Sequence, residues 1–116
     1  MSHEPQNFTG AEVTVLAELV SYQPDAIVSR TLVKRTQGTL TLFAFDRGQE
    51  LSDHTAPFDA LVQILDGTAS VSIEGREHRV NQGEAILMPA NRPHALRADV
   101  RFKMLLSMIR ADEPEK

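Results

Sequence analysis

Cysteine and tryptophan are both missing from the 116 residues of this chain, and tyrosine occurs once. The lack of cysteine excludes disulfides, thiolate metal sites and cysteine nucleophiles together. The lack of tryptophan removes the aromatic platform on which sugars or nucleobases commonly stack. A cysteine-free chain is compatible with a reducing cytoplasm, where disulfides are rare.

Long apolar runs and long runs of like charge are missing as well. The longest apolar stretches, FKMLLSMI and AILMPA, are far shorter than a membrane span. The N-terminus MSHEPQNF lacks the basic-then-apolar order of a signal peptide. Twelve Lys and Arg against sixteen Asp and Glu give a net charge of −4, without a basic cluster that would follow phosphates. We therefore predict a cytoplasmic protein that binds neither membrane nor nucleic acid.

The chain length is typical of one domain, and no repeat, low-complexity tract or linker divides it. We predict a single domain over residues 13–110, a flexible leader over 1–12 and a charged tail over 111–116. The segment VTVLAELVSY either holds one helical turn at Leu16–Leu19 or is an interrupted strand.

From residue 26 onward, short segments with β-branched or alternating apolar residues are separated by turn-forming residues. The candidate strands are AIVSRTLVK, TLTLFAF, FDALVQIL, TASVSIE, HRV, EAILMP, HALRA and RFKMLLSMI, with turns expected at TQG, DG, GRE, NQG and ANRP. About eight or nine strands without an amphipathic helix of ordinary length predict an all-β sandwich or barrel.

The last candidate strand is apolar on both faces. Met104 and Met108 point one way by period two, and Leu105 and Ile109 point the other. A strand with one face in water would be polar on that side. Either the N-terminal segment covers the outer face, or that face forms a homodimer interface, which is the prediction we favour.

A histidine lies in each of two segments that begin with glycine. In the first, residues 48–67, five residues separate the opening glycine from His54, which we expect at the end of a polar turn, and a second glycine closes the segment. In the second, residues 83–98, Pro89 and His94 follow the opening glycine at offsets of six and eleven residues. These spacings resemble the two motifs of the cupin family, G-x5-H-x-H-x3,4-E-x6-G and G-x5-P-x-G-x2-H-x3-N.

The chain is similar to a small single-domain cupin over roughly residues 39–110, which implies a double-stranded β-helix of the jelly-roll type. A short N-terminal segment would precede this barrel. In the second motif, Asn91 stands in place of the glycine and Ala98 in place of the closing asparagine.

The family resemblance also implies a metal site inside the barrel, built from three histidines and a glutamate. Here His54 and His94 remain, while Ala56 and Ala60 stand at the positions of the second histidine and the glutamate. Two neutral imidazoles compensate none of a metal's charge. The resemblance therefore implies a weakly held divalent metal (Mn, Fe, Ni, Cu or Zn) or none.

Several further side chains are candidates for the pocket. Gln63 could supply an extra ligand, although period two from Ala60 turns it away from the interior. Methionines are more often core fillers than ligands. The predicted pocket-lining residues are Ala56, Ala60, Val62, Met88, Met104 and Met108.

Three functions are compatible with these residues. We favour a binding module that holds a small molecule in the barrel, because the two alanines replace ligands with apolar volume and would enlarge the cavity. The alternative is a metal-dependent enzyme of the dioxygenase, isomerase or decarboxylase type, with both histidines as ligands. A purely structural dimer would leave the paired histidines unexplained.

Overall fold

The structure, a computed structural model, describes residues 8–111. Within this range the chain has a 3-10 turn at Leu16–Leu19 and eight strands, which confirms the all-β prediction and the helical turn. No helix in this range is long and apolar enough to cross a membrane. Most of the predicted leader and tail, residues 1–7 and 112–116, lies outside the described residues. The strands are β1 (Ile27–Lys34), β2 (Gly38–Phe45), β3 (Glu50–His54), β4 (Phe58–Ile73), β5 (Arg76–Asn81), β6 (Ala85–Met88), β7 (His94–Arg97) and β8 (Phe102–Arg110).

The strands form two antiparallel sheets that share β4. The first sheet has the order β1-β2-β8-β4-β6 and uses the N-terminal half of β4. The second sheet has the order β3-β7-β4-β5 and uses its C-terminal half. Because one strand runs through both sheets, they fold over each other into a jelly-roll barrel.

The passage of β4 between the sheets occurs at Asp66 and Gly67, where the sequence predicted a turn. That prediction was wrong. The pairing of β4 with β8 shifts register between Ile64 and Asp66, and Gly67 has a φ of 77°. A Cβ on Gly67 would collide with the carbonyl oxygen of Arg101. The Asp-Gly pair thus forms a β-bulge, which bends the strand without ending it.

The barrel interior is apolar, and one end of it is filled by aromatic rings. Phe45 and Phe102 are fully buried and stacked, with ring centroids 4.5 Å apart and planes 16° from parallel. Ala69 and Val80 pair beside them on the second sheet and are also buried. We call these four residues the closed end of the barrel.

The N-terminal segment covers part of the outer face of the first sheet. Leu19 and Val20 are buried there in one cluster with Leu42 and Ala44 of β2, and Leu105 of β8 packs against it. The N-terminal segment thus covers part of the outer face of the last strand, as the first of the two alternatives for that apolar face predicted.

Polar contacts hold the same segment in place. The Tyr22 hydroxyl donates a hydrogen bond to the Asp66 carboxylate, and Lys103 Nζ donates one of 2.7 Å to the Ala17 carbonyl. The guanidinium of Arg101 lies 4.4 Å from the centre of the Tyr22 ring. Burial and the Asp66 carboxylate raise the pKa of Tyr22, so the phenol remains protonated and keeps donating.

Apolar side chains elsewhere on the outer face of the first sheet remain in contact with water. Leu40, Leu87 and Ile109 are 37%, 52% and 64% exposed. We call them the uncovered patch. On the outer face of β8, the N-terminal segment therefore covers Leu105 but leaves Ile109 exposed.

Candidate functional site

The two motif histidines lie side by side at the end of the barrel opposite the closed end. His54 on β3 and His94 on β7 are direct cross-strand partners, and their ring centroids are 4.4 Å apart at an angle of 69°. His94 is buried, whereas His54 is exposed. Both line a cavity of about 60 Å³, and we call this end the mouth of the barrel.

A bulge in β3 turns His54 toward this cavity. Leu51 pairs with Leu96 and His54 with His94, so three steps along β3 oppose two along β7. Strict alternation from Leu51, which also lines the cavity, would turn Asp53 inward. The extra residue of the bulge shifts this alternation by one and brings the histidine inward instead. The sequence placed His54 at the end of a polar turn, but the segment is a strand, polar because it forms the edge of its sheet.

The loop between β6 and β7 is tied to the start of β4 beside the histidines. Asn91 has a φ of 65°, in the left-handed region that the glycine of the family motif would occupy freely. Asparagine tolerates this conformation better than most residues. Its backbone N–H donates a 2.9 Å hydrogen bond to the Ala56 carbonyl, and the N–H of Ala90 donates one of 2.9 Å to Asp59 Oδ1. These bonds fix the two motifs relative to each other.

Hydrogen bonds also select the tautomer of both imidazoles. His54 Nδ1 lies 2.9 Å from the Ser52 carbonyl oxygen, and His94 Nδ1 lies 3.2 Å from that of Arg92. A carbonyl only accepts, so each Nδ1 carries the hydrogen and each neutral ring keeps its lone pair on Nε2. The same arrangement orients histidines that bind metals.

The electrostatic surroundings keep His94 neutral. The pKa of His94 is below its ordinary value of 6.5. Burial of the ring is the largest cause, and the neighbouring His54 is the second. Near neutral pH the Nε2 atom of His94 therefore retains its lone pair, available to a hydrogen-bond donor or a metal ion.

The wall opposite the histidines is apolar and rich in methionine. Ala60 lies at its centre, with Met88 on β6 and Met108 on β8 as its direct cross-strand partners. The enlarged cavity expected from the alanines is not found, because flexible methionine side chains fill much of that space. Organic ligands usually occupy pockets of about 300–1,000 Å³. Besides the histidines, the lining consists of Leu51, Ala56, Phe58, Ala60, Met88, Leu96, Met104, Leu106 and Met108.

Two residues predicted at the site lie elsewhere. Val62 is fully buried in the apolar core of the barrel and is not among the side chains that line the cavity. Gln63 is exposed on the outer face of the first sheet, between inward-facing Val62 and Ile64. Its side chain therefore supplies no ligand to the pocket of its own chain.

Three apolar residues of the lining, Leu51, Leu96 and Leu106, were missed from the sequence. Leu106 could have been found, because it alternates in phase with Met104 and Met108 on β8. Leu51 and Leu96 reach the cavity through the pairing of β3 with β7, for which the sequence gives no local signal.

The residues at the mouth do not fit the four-ligand divalent metal site that the family resemblance implies. Ala56 and Ala60 offer no donor atoms at two of the four positions. Among residues 8–111, no three His, Cys, Asp or Glu side chains come together in a group that could hold a metal ion. Two imidazoles are thus the nitrogen donors that this pocket provides.

Comparison with known proteins agrees with the fold and both motifs. The family model described as a cupin domain matches residues 41–108. A conserved protein of unknown function from Streptococcus pyogenes is 41% identical, with a TM-score of 0.86 over 97% of this chain and 98% of its own. A cupin 2 conserved barrel domain protein from Leptotrichia buccalis is also 41% identical, with a TM-score of 0.79 over 81% of this chain and 46% of its own.

A cupin superfamily protein from Desulfitobacterium hafniense is 25% identical, with a TM-score of 0.83 over 94% of this chain and 99% of its own. Among proteins of curated function, none matches significantly. The family match covers more than half of the chain, and the resemblance carried by the two motifs is confirmed. The chain belongs to the cupin family.

Proposed function

We propose that this cupin is a binding protein whose barrel mouth holds a small ligand against the imidazoles of His54 and His94. The observation that carries the proposal is the arrangement of the pair, in which both Nδ1 atoms are bonded to carbonyls and neither Nε2 atom has a hydrogen-bond partner among residues 8–111. A few fixed polar groups on an apolar wall are typical of ligand sites. With alanine at positions 56 and 60, the wall lacks the carboxylate that a cupin metal site would use.

The size and chemistry of the pocket limit the ligand. A cavity of about 60 Å³ holds only a few non-hydrogen atoms, so a larger molecule would extend past exposed His54 into solvent. Free Nε2 lone pairs accept hydrogen bonds or bind an electrophilic ion. The proposal therefore names a ligand with an N–H or O–H group on a small apolar body, or an ion.

Binding is tested by NMR of protein labelled with ¹⁵N at histidine and purified without a tag. Small alcohols, amines and azoles serve as probes. A ligand should shift the Nε2 resonances of His54 and His94, while His78, on β5 outside the cavity, serves as an internal control. His54→Ala and His94→Ala should each abolish binding, and His78→Ala should not. Equal shifts at all three rings, or none, would contradict the proposal.

The metal-dependent enzyme and the weakly held divalent ion (Mn, Fe, Ni, Cu or Zn) stay predictions from the sequence. Elemental analysis of the untagged protein distinguishes them from metal-free binding. A stoichiometric divalent metal that is lost in both His54→Ala and His94→Ala would favour the enzyme alternative. Absence of bound metal after reconstitution with each ion would rule it out.

We also propose that the protein is a homodimer that buries the uncovered patch. Leu40, Leu87 and Ile109 expose apolar surface on the first sheet. The outer face of the second sheet is polar instead, with Arg97 bonded to both Glu77 and Asp99. Two copies could cover the apolar face symmetrically, as homodimers commonly do.

Sedimentation equilibrium tests the dimer. We expect about twice the chain mass of 12.9 kDa at micromolar concentration. Ile109→Lys combined with Leu87→Lys should give a monomer, because lysine in the patch would bury an unpaired charge. Val100→Lys is the matched control, since Val100 is 50% exposed and lies outside the patch. A wild-type mass near that of one chain would rule out the homodimer. Cytoplasmic location and the lack of nucleic-acid or membrane partners stay predictions.

A further inference from the structure

Two thioethers flank the position at which the family motif has its glutamate. Ala60 occupies that position, and its direct partners on either side are Met88 and Met108. Directly opposite residues have Cβ atoms about 5 Å apart, so both methionine side chains extend past the small alanine. Both also line the cavity that contains the histidines. The mouth thus combines two imidazoles from one sheet with two thioethers from the other.

This donor set selects among metal ions by softness. Thioether sulfur is a soft donor typical of Cu(I) sites, and imidazole binds copper as well. Divalent first-row ions that prefer oxygen would find no carboxylate in the cavity lining among residues 8–111. The donor set therefore favours copper in its lower oxidation state over manganese, iron or zinc.

Charge favours the same ion. None of the four donors is an anion, and the rest of the cavity lining is apolar. The cost of moving an ion out of water grows with the square of its charge, so a divalent ion costs about four times as much as a monovalent ion of equal size. Without an anionic ligand to offset this cost, the pocket should bind a monovalent ion more tightly than a divalent one.

We propose that the mouth is a Cu(I) site whose ligands are Nε2 of His54 and His94 and Sδ of Met88 and Met108. The proposal rests on the proposed function, because it uses the same pocket, and it names the ligand as an ion. The cavity of about 60 Å³ suits an ion directly. Hydrogen bonds from both Nδ1 atoms to carbonyls fix the imidazole rings and leave Nε2 as the atom of each ring that can bind the ion.

The test is an anaerobic competition between the untagged protein and the chromophoric Cu(I) chelator bathocuproine disulfonate. Zn(II) is titrated in parallel against a Zn(II) indicator. We expect one Cu(I) per chain and an affinity for Cu(I) at least about 100-fold above that for Zn(II). His54→Ala and His94→Ala should each weaken binding of both ions by about 10- to 100-fold or more.

Methionine variants supply the discriminating result. Met88→Leu with Met108→Leu removes both thioethers while keeping nearly the same side-chain volume. This variant should lose at least about tenfold in Cu(I) affinity and keep its Zn(II) affinity. X-ray absorption of the Cu(I) complex should show sulfur neighbours in the wild type and not in the variant. Thermal unfolding of each variant checks that it is folded, and the two single substitutions replace the double one if it is not.

Met104→Leu is the matched control. Met104 lines the same cavity, but it pairs with Ile64 and so lies deeper in the barrel than Met88 and Met108, which pair with Ala60. Its substitution should therefore weaken Cu(I) binding far less than the double substitution does. Three results would each overturn the proposed ligand set. The wild type could bind Zn(II) as tightly as Cu(I), the double variant could keep the Cu(I) affinity of the wild type, or Met104→Leu could lose as much Cu(I) affinity as the double variant. If an organic probe shifts the histidine NMR resonances but the protein does not prefer Cu(I) over Zn(II), the copper site is wrong and the proposed function stands.

Discussion

The closed end and the mouth of the barrel are built from the same two long strands but are packed in opposite ways. At the closed end, β8 contributes Phe102, which stacks fully buried on Phe45. At the mouth, the same strand contributes Met108 beside Ala60 of β4, and a cavity of about 60 Å³ remains. Stiff aromatic rings fill space completely, whereas alanine and methionine leave it adjustable. We therefore expect the closed end to contribute more to stability than the mouth, where we have proposed that a ligand binds.

The largest expected effect comes from removing an aromatic ring at the closed end. Phe102→Ala should lower the free energy of unfolding by about 3–5 kcal/mol, the range for a fully buried phenylalanine. Phe58→Ala at the mouth should cost less than about half as much, because Phe58 is only partly buried and packs under Arg110. Urea denaturation measures both. Equal losses would mean that the two ends contribute alike to stability.

The second prediction concerns a variant in which the two missing metal ligands are restored at the mouth. Ala56→His with Ala60→Glu should create tight binding of Mn(II) or Zn(II), because it restores an imidazole and a carboxylate on the cavity wall. We expect a gain of at least about 100-fold in affinity, or about 3 kcal/mol, by calorimetric titration. Ala56→His with Ala60→Gln is the control, which should gain less because it lacks the negative charge. A double variant that binds no better than the wild type would mean that positions 56 and 60 do not converge on the histidines.

The third prediction compares the same substitution, alanine to the larger valine, at the two ends of the barrel. Ala69→Val should destabilise by about 1–3 kcal/mol, since Ala69 is fully buried at the closed end. Ala60→Val should cost less than about 1 kcal/mol, because the neighbouring methionines can move. It should also weaken binding at the mouth by filling the cavity. Chemical denaturation and the ligand titration together check the pair, and a reversed order of stabilities would refute the contrast.

The smallest predicted effect is a pH dependence from His94. Its folded-state pKa is below 6.5, so between that lowered pKa and 6.5 the unfolded chain binds more protons than the folded one. Stability should therefore fall as pH drops below 6.5, with a slope no steeper than about 1.4 kcal/mol per pH unit for one group. Unfolding free energies between pH 7.5 and 5 measure the slope, which should be shallower in His94→Leu. An unchanged slope in that variant would show that another group titrates.

Much of the fold was predictable because its signals are local. Alternating residues identified seven of the strands among residues 8–111, and the two motifs placed His54 and His94 in the family frame. The exceptions are Asp66–Gly67, where the sequence predicts a turn but β4 continues, and the polar segment that ends at His54, where it predicts a turn but β3 is a strand. In both places a bulge is present, and Asp-Gly or polar residues suit a bulge or an edge as well as a turn.

The sequence by itself determined the all-β class, the apolar interior and the presence of a histidine in each motif, since these depend on residue type and period. The tertiary structure decided what faces the cavity. One extra residue in β3 turned His54 inward in place of Asp53, and strand register set Met88 and Met108 on either side of Ala60. The physical reason is that side chains alternate along a strand, so a shift of one residue reverses every direction beyond it. That shift is fixed by hydrogen bonds between strands far apart in the chain.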